Sequence, residues 1–123
     1  MKTKILVYLI LGVFLLNSCS NVENDMYVYE GVWSGQYGGN VDSGNWSIRI
    51  DTNKTVVGTF TSIQSSNSYP VIGVISENGV LNATISMGEI TGEFSGHFMD
   101  NTAFGTWTNN TEDDSGTWNG TKL

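Results

Sequence analysis

The chain has 123 residues, enough for one domain and not for two. Twelve acidic residues stand against five basic ones, and there are 15 glycines, one proline and one cysteine. An acidic surface of this kind repels polyanions, which excludes nucleic acid and anionic lipid headgroups as direct partners.

The first element does not belong to the fold. Met1-Lys2-Thr3-Lys4 is a short basic start, Ile5 to Leu16 is an apolar run of twelve residues, and Asn17-Ser18-Cys19 is a small-residue exit. Such a run is too short to cross a bilayer comfortably as a helix. Its three parts are those of a secretory signal peptide, here residues 1–18. Cys19 has no second cysteine to pair with, so it calls for a use other than an internal disulfide. The stretch Leu16-Asn17-Ser18-Cys19 resembles the bacterial lipobox. That resemblance implies cleavage before Cys19, a diacylglycerol on its thiol, and a lipoprotein of the cell envelope. The protein would be held at the outer membrane by its acyl chains, facing the periplasm or the outside. The other reading is a signal peptide cut elsewhere, leaving a free or intermolecular thiol. Removing residues 1–18 leaves Arg49, Lys54 and Lys122 against the twelve acidic residues, a net charge of −9, so no basic patch assists the anchor. Residues 19–29 read as a polar tether after the lipidated Cys. Its Glu23 and Asp25 resemble export signals of some surface lipoproteins, and serve equally as a solvated spacer.

From residue 30 onward no stretch has useful helical periodicity. Clusters of Gly, Asn, Asp and Ser punctuate the chain and leave eight strands, at 30–37, 44–51, 55–63, 69–76, 79–86, 89–98, 102–109 and 114–121. Asp51-Thr52-Asn53-Lys54, Glu77-Asn78-Gly79, Met87-Gly88 and Met99-Asp100-Asn101 form tight turns, and Asn78-Gly79 suits a position needing positive φ. Longer loops fall at 38–43, 64–68 and 109–113. No gap is long enough for a helical crossover, so the strands are antiparallel and sequential neighbours pair. The reading is an all-β domain over 30–123, a single up-and-down meander.

A Gly, any residue, then Trp or Phe recurs at Gly31-Val32-Trp33, Gly58-Thr59-Phe60, Gly92-Glu93-Phe94, Gly105-Thr106-Trp107 and Gly116-Thr117-Trp118. A spacing of two puts glycine and ring on one face of a strand. In the sixth strand Ile90, Gly92, Phe94, Gly96 and Phe98 share a face, with Thr91, Glu93, Ser95 and His97 on the other. Alternating large and small residues suit the curved interior of a small barrel and favour it over a flat sandwich. The third strand is ambiguous, because Val56 and Phe60 oppose Val57 and Ile63. In the fifth, Leu81, Ala83 and Ile85 oppose Val80. The last strand repeats the motif of the first, so the meander can close and remove its exposed edges.

Gly31-Val32-Trp33 in the first strand, about eight short strands and Gly116-Thr117-Trp118 near the end resemble the lipocalin and avidin group of calycin-like barrels. They are similar also to short bacterial lipoproteins with a lipocalin-like domain. In lipocalins the first-strand Trp closes the barrel base and does not touch ligand, so the resemblance implies that role for Trp33. No polar constellation matches residue by residue, and no ligand-binding residue follows from it. Strands of about eight residues argue against a deep cavity.

Reactive chemistry is sparse. The single His97 lies on the face opposite the rings, and Glu93 is roughly 13 Å away along the same strand, too far to share a metal. With Cys19 used by the anchor, a zinc site of the usual type is excluded, and no cofactor is called for. Glu112-Asp113-Asp114 lacks the spacing of a calcium loop and reads as a solvated loop. Neither a nucleophile elbow nor a phosphate loop occurs. The expectation is a binding protein and not an enzyme. Eight strands enclose room for side chains or one small ligand, and the rings here should fill most of it. The longer loops share one end of the meander. That end is the expected contact face for a protein or glycan partner, with Tyr37 and Tyr69 at its rim and Asn40, Asp42, Asn67, Asn110 and Asp113 around it. The alternatives are an inhibitor or immunity-type lipoprotein that blocks an enzyme through these loops, and a calycin-type carrier of a small apolar ligand.

Overall fold

The computed structural model describes residues 27–87 and 90–123. The expected signal peptide, Cys19 and most of the expected tether therefore lie outside the described residues, as do Gly88 and Glu89. Eight strands follow in order: β1 (Gly31–Gly39), β2 (Ser43–Ile50), β3 (Thr55–Ser62), β4 (Ser68–Ile75), β5 (Val80–Met87), β6 (Ile90–Met99), β7 (Thr102–Asn109) and β8 (Asp114–Lys122). Each pairs antiparallel with its sequence neighbour, and β1 pairs with β8, so the sheet closes into an up-and-down barrel. The expected strands agree with these to within two residues at every boundary. Closure leaves no strand edge to template aggregation.

Alternation decides which residues fill the barrel. β2 reads exposed–buried throughout, with Gly44, Trp46, Ile48 and Ile50 inside. The two ambiguous strands resolve the same way. Val56 and Phe60 point inward while Val57 and Ile63 are exposed, and Leu81 and Ala83 are buried with Ile85 packed against them. Residues 91–98 also alternate as expected: Gly92, Phe94 and Phe98 are buried, and Thr91, Glu93, Ser95 and His97 are exposed. His97 stacks on the exposed Phe104 across the outer surface. Trp33, Trp107 and Trp118 are buried too.

Rings form a continuous column through the interior. Tyr27 and Tyr29 meet edge to face at the base, Tyr29 contacts Trp33 and Phe98, and Phe98 leads to Trp118. Trp118 meets Trp46 edge to face, Trp46 stacks on Phe60, and Phe60 lies 3.7 Å from Phe94, centroid to centroid. Tyr37 and Trp107 finish the column at the other end. So many rings fit because glycines face them across the ladder. Gly96 pairs with Gly105, and a Cβ on either would run into the Trp118 ring and the opposite backbone. Among the rings at mid-barrel lies a gap of about 10 Å³, lined by apolar side chains. That space barely admits one water and offers it no hydrogen-bond partner.

The two barrel ends differ. The base carries the turns after β2, β4 and β6, together with the chain entering β1. There Trp33 is fully buried and donates its indole N–H to the Tyr29 carbonyl at 3.0 Å. Tyr27 donates its hydroxyl to the Ser76 carbonyl. This matches the base-closing role that the resemblance implies for Trp33. The other end carries the longer loops after β1, β3 and β7.

Candidate functional site

At the loop end the ring column stops short of the rim and leaves a cavity of about 220 Å³. Its floor is Phe60, Phe94, Tyr37 and Trp107. Its walls include Asp42, Ser62, Tyr69 and Glu112. The space is below the roughly 300–1,000 Å³ of a drug-sized pocket, and it is a mouth and not a through-channel.

One carboxylate organises the polar wall. Asp42 Oδ2 accepts the Tyr37 hydroxyl at 3.0 Å, and Oδ1 accepts the Ser62 hydroxyl at 2.7 Å and the Ser43 amide at 2.9 Å. Ser62 in turn accepts the Ser65 amide, which ties the β3–β4 loop to the same hub. Burial, reinforced by the hydrogen bond and the charge of Asp42, pushes the Tyr37 hydroxyl well above the usual tyrosine value. Tyr37 therefore stays a neutral donor throughout the physiological range.

A second carboxylate holds the first in place. Asp114 is buried at the start of β8. It accepts the backbone amides of Asn40 and Val41 at 3.2 Å, of Asp42 at 3.1 Å and of its neighbour Ser115 at 2.9 Å. Three successive loop N–H groups aimed at one carboxylate fix the β1–β2 loop and with it the direction of Asp42. The expectation of a solvated acidic run thus holds for the exposed Glu112 and Asp113 and fails for Asp114. Loop amides lacking other acceptors draw its carboxylate inward. In the β7–β8 loop Asn109 Oδ1 caps the amides of Thr111 and Glu112, and this holds Glu112 at the rim.

The expected contact residues divide into two groups. Tyr37, Asp42 and Tyr69 line the mouth. Asn40, Asn67, Asn110 and Asp113 are exposed on the surrounding loops and do not line it. Phe60, Ser62, Phe94, Trp107 and Glu112 line it and were not expected as contacts. Phe60, Phe94 and Trp107 are inward strand residues whose distance from the barrel end follows from stagger between strands, and the linear pattern does not carry it. Among the described residues no group of three or more His, Cys, Asp or Glu is placed to hold a metal ion. Comparison with protein-family models and with curated proteins finds no match for this chain.

Proposed function

We propose that this is an outer-membrane lipoprotein with a calycin-like barrel that acts as a non-catalytic binding module, its ligand taken at the loop end. The observation that carries the binding reading is the hydrogen-bonded mouth itself. Asp42 gathers the Tyr37 and Ser62 hydroxyls beside an aromatic floor, and the buried Asp114 holds the Asp42 amide. A mouth of about 220 Å³ with a polar wall is small for a carrier of apolar ligands, and this favours a partner that inserts a single group.

The anchor fits this arrangement. Cys19 precedes Tyr27 by eight positions, a reach of at most about 28 Å when fully extended. Tyr27 packs into the barrel base, so a lipid on Cys19 would attach the protein at its closed end, opposite the mouth. Acyl chains contribute roughly 0.8 kcal/mol per buried CH₂, enough for two or three chains to hold the protein without a basic patch. Cys19→Ala should leave the signal uncut or release the protein from membranes. Mass spectrometry of the mature wild-type N-terminus should find an acylated Cys19. A free thiol, or cleavage at another residue, rejects the anchor. The inhibitor reading uses the same loops, and purified target enzymes of the envelope distinguish it by loss of their activity on mixing.

A further inference from the structure

The chemistry of the mouth narrows what it takes, on the reading that it is the binding site. Of the described residues lining it, Asp42 and Glu112 are charged, both negatively, and none is Lys, Arg or His. Asp113 and Asp114 add negative charge at the same end. Every basic residue of the barrel lies toward the base. Arg49 is next to last in β2, Lys54 lies in the β2–β3 turn, where it pairs with Glu77 at 3.1 Å, and Lys122 ends β8. The potential over the mouth is therefore negative and locally unopposed, and low-dielectric walls focus it.

The floor complements that field. Tyr37, Phe60, Phe94 and Trp107 line the floor with aromatic carbon against which the apolar stem of a cation can pack. Asp42 Oδ2 accepts one hydrogen bond from the described residues, so it keeps capacity for another donor. An anion is repelled here, and a neutral sugar would use the rings without drawing on the charge. The space matches one long side chain or a small amine better than an acyl chain.

We infer that the mouth binds an organic cation, an alkylammonium or guanidinium group, with its apolar stem against the rings and its charge against Asp42. The same chemistry has two sources: a free small amine, or a Lys or Arg side chain displayed by a partner protein.

The test uses the full chain in neutral detergent micelles, with the four tryptophan indole N–H resonances followed by NMR. Probes are n-butylammonium, capped Ala-Lys-Ala and Ala-Arg-Ala peptides, and the capped Ala-norleucine-Ala isostere, which lacks the charge. Binding should shift the Trp107 resonance saturably, leave Trp33 unmoved, and be at least tenfold weaker for the isostere. Affinity should fall several-fold between 20 and about 200 mM salt, as expected for a charge-dependent contact. Asp42→Asn should weaken cation binding about tenfold, and Glu112→Gln, at an exposed rim position, several-fold. Equal affinity for free amine and peptide supports a small amine as the source, and a tenfold preference for peptide supports a partner's side chain. Equal binding of the norleucine peptide, or no saturable Trp107 shift with any cation, overturns the inference. The first of those results leaves the binding-module reading standing, because the mouth would still be occupied. After the second, binding of capped or free neutral sugars at Trp107 would keep that reading, and their failure as well would remove it.

Discussion

At the barrel base Trp33 has no exposed surface, and Tyr29 and Phe98 close around it. At the loop end Tyr37 and Trp107, also buried, border a cavity of about 220 Å³. Both ends are aromatic, so ring content does not separate them. The difference is what lies beyond the last ring. At the base the entering chain supplies Tyr27 and Tyr29, which fill the remaining space. At the mouth the chain supplies three polar loops, and two carboxylates turn their amides and hydroxyls toward each other. One end is closed by apolar packing, the other held open by hydrogen bonds.

The contrast breaks most sharply under truncation of one tryptophan at each end. Trp33→Ala should cost about 3–5 kcal/mol, the usual loss for a large buried aromatic. Trp107→Ala should cost less, roughly 2 kcal/mol, because its gap merges with a cavity that water can already enter. Urea unfolding of both variants measures the difference, and equal losses would mean that the mouth is packed like the base.

Glycines sharpen the picture in the middle of the barrel. Gly105→Val should cost about 1–3 kcal/mol, since its Cβ meets the Ser95 carbonyl, the Gly96 backbone and the Trp118 ring. Gly92→Val should fall at the low end of that range, because only the Thr108 carbonyl, at 2.7 Å, lies close. Gly38→Ala, with no neighbour within 4 Å, should change stability by less than about 0.5 kcal/mol. A large loss at Gly38 would contradict the packing described.

Asp114→Ala tests the loop clamp. Loss of the shared acceptor should cost about 1 kcal/mol, the low end for unmade hydrogen bonds, because solvent reaches the loop. Amide exchange at Asn40, Val41 and Asp42 should accelerate while Trp33 and its surroundings stay protected. Uniform acceleration across the barrel would show that the carboxylate supports the whole fold and not the mouth alone.

Alkaline pH has no effect near neutrality and acts only above the ordinary tyrosine value. Burial at the base, with Glu77 and Tyr29 adding to it, pushes the Tyr27 hydroxyl from 10.0 up to about 12. Burial and Asp42 push Tyr37 up as well. A raised value means that the fold favours the protonated form. The contribution is therefore complete below pH 10 and is lost as pH climbs through 10 toward 12. Stability should drop over that window, and combining Tyr27→Phe with Tyr37→Phe should flatten the slope. An unchanged slope in the double variant would assign it to other groups.

The linear sequence determined the strands, their antiparallel order and most of the interior. Glycine and ring share parity in strand after strand, and parity alone assigns a face when one side must be apolar. It also determined that the loops at 38–43, 64–68 and 109–113 share an end, because alternate hairpins in a meander must. Faces of β3 and β5 were undecided, since Val57 and Val80 are as apolar as their neighbours, and only closure of the barrel settled which set goes inside. Tertiary structure alone decided that Asp114 is a buried clamp and Asp113 a solvated neighbour. Asp114 has the inward parity of Gly116 and Trp118 while Asp113 turns the loop at φ 53°, but an inward carboxylate is tolerated only because a loop some 70 positions away in the chain aims three amides at it. The composition of the mouth was decided likewise. Phe60, Phe94 and Trp107 read as core like every other inward ring, and it is the stagger of strands in a closed barrel that sets them at the boundary between packed interior and open cavity.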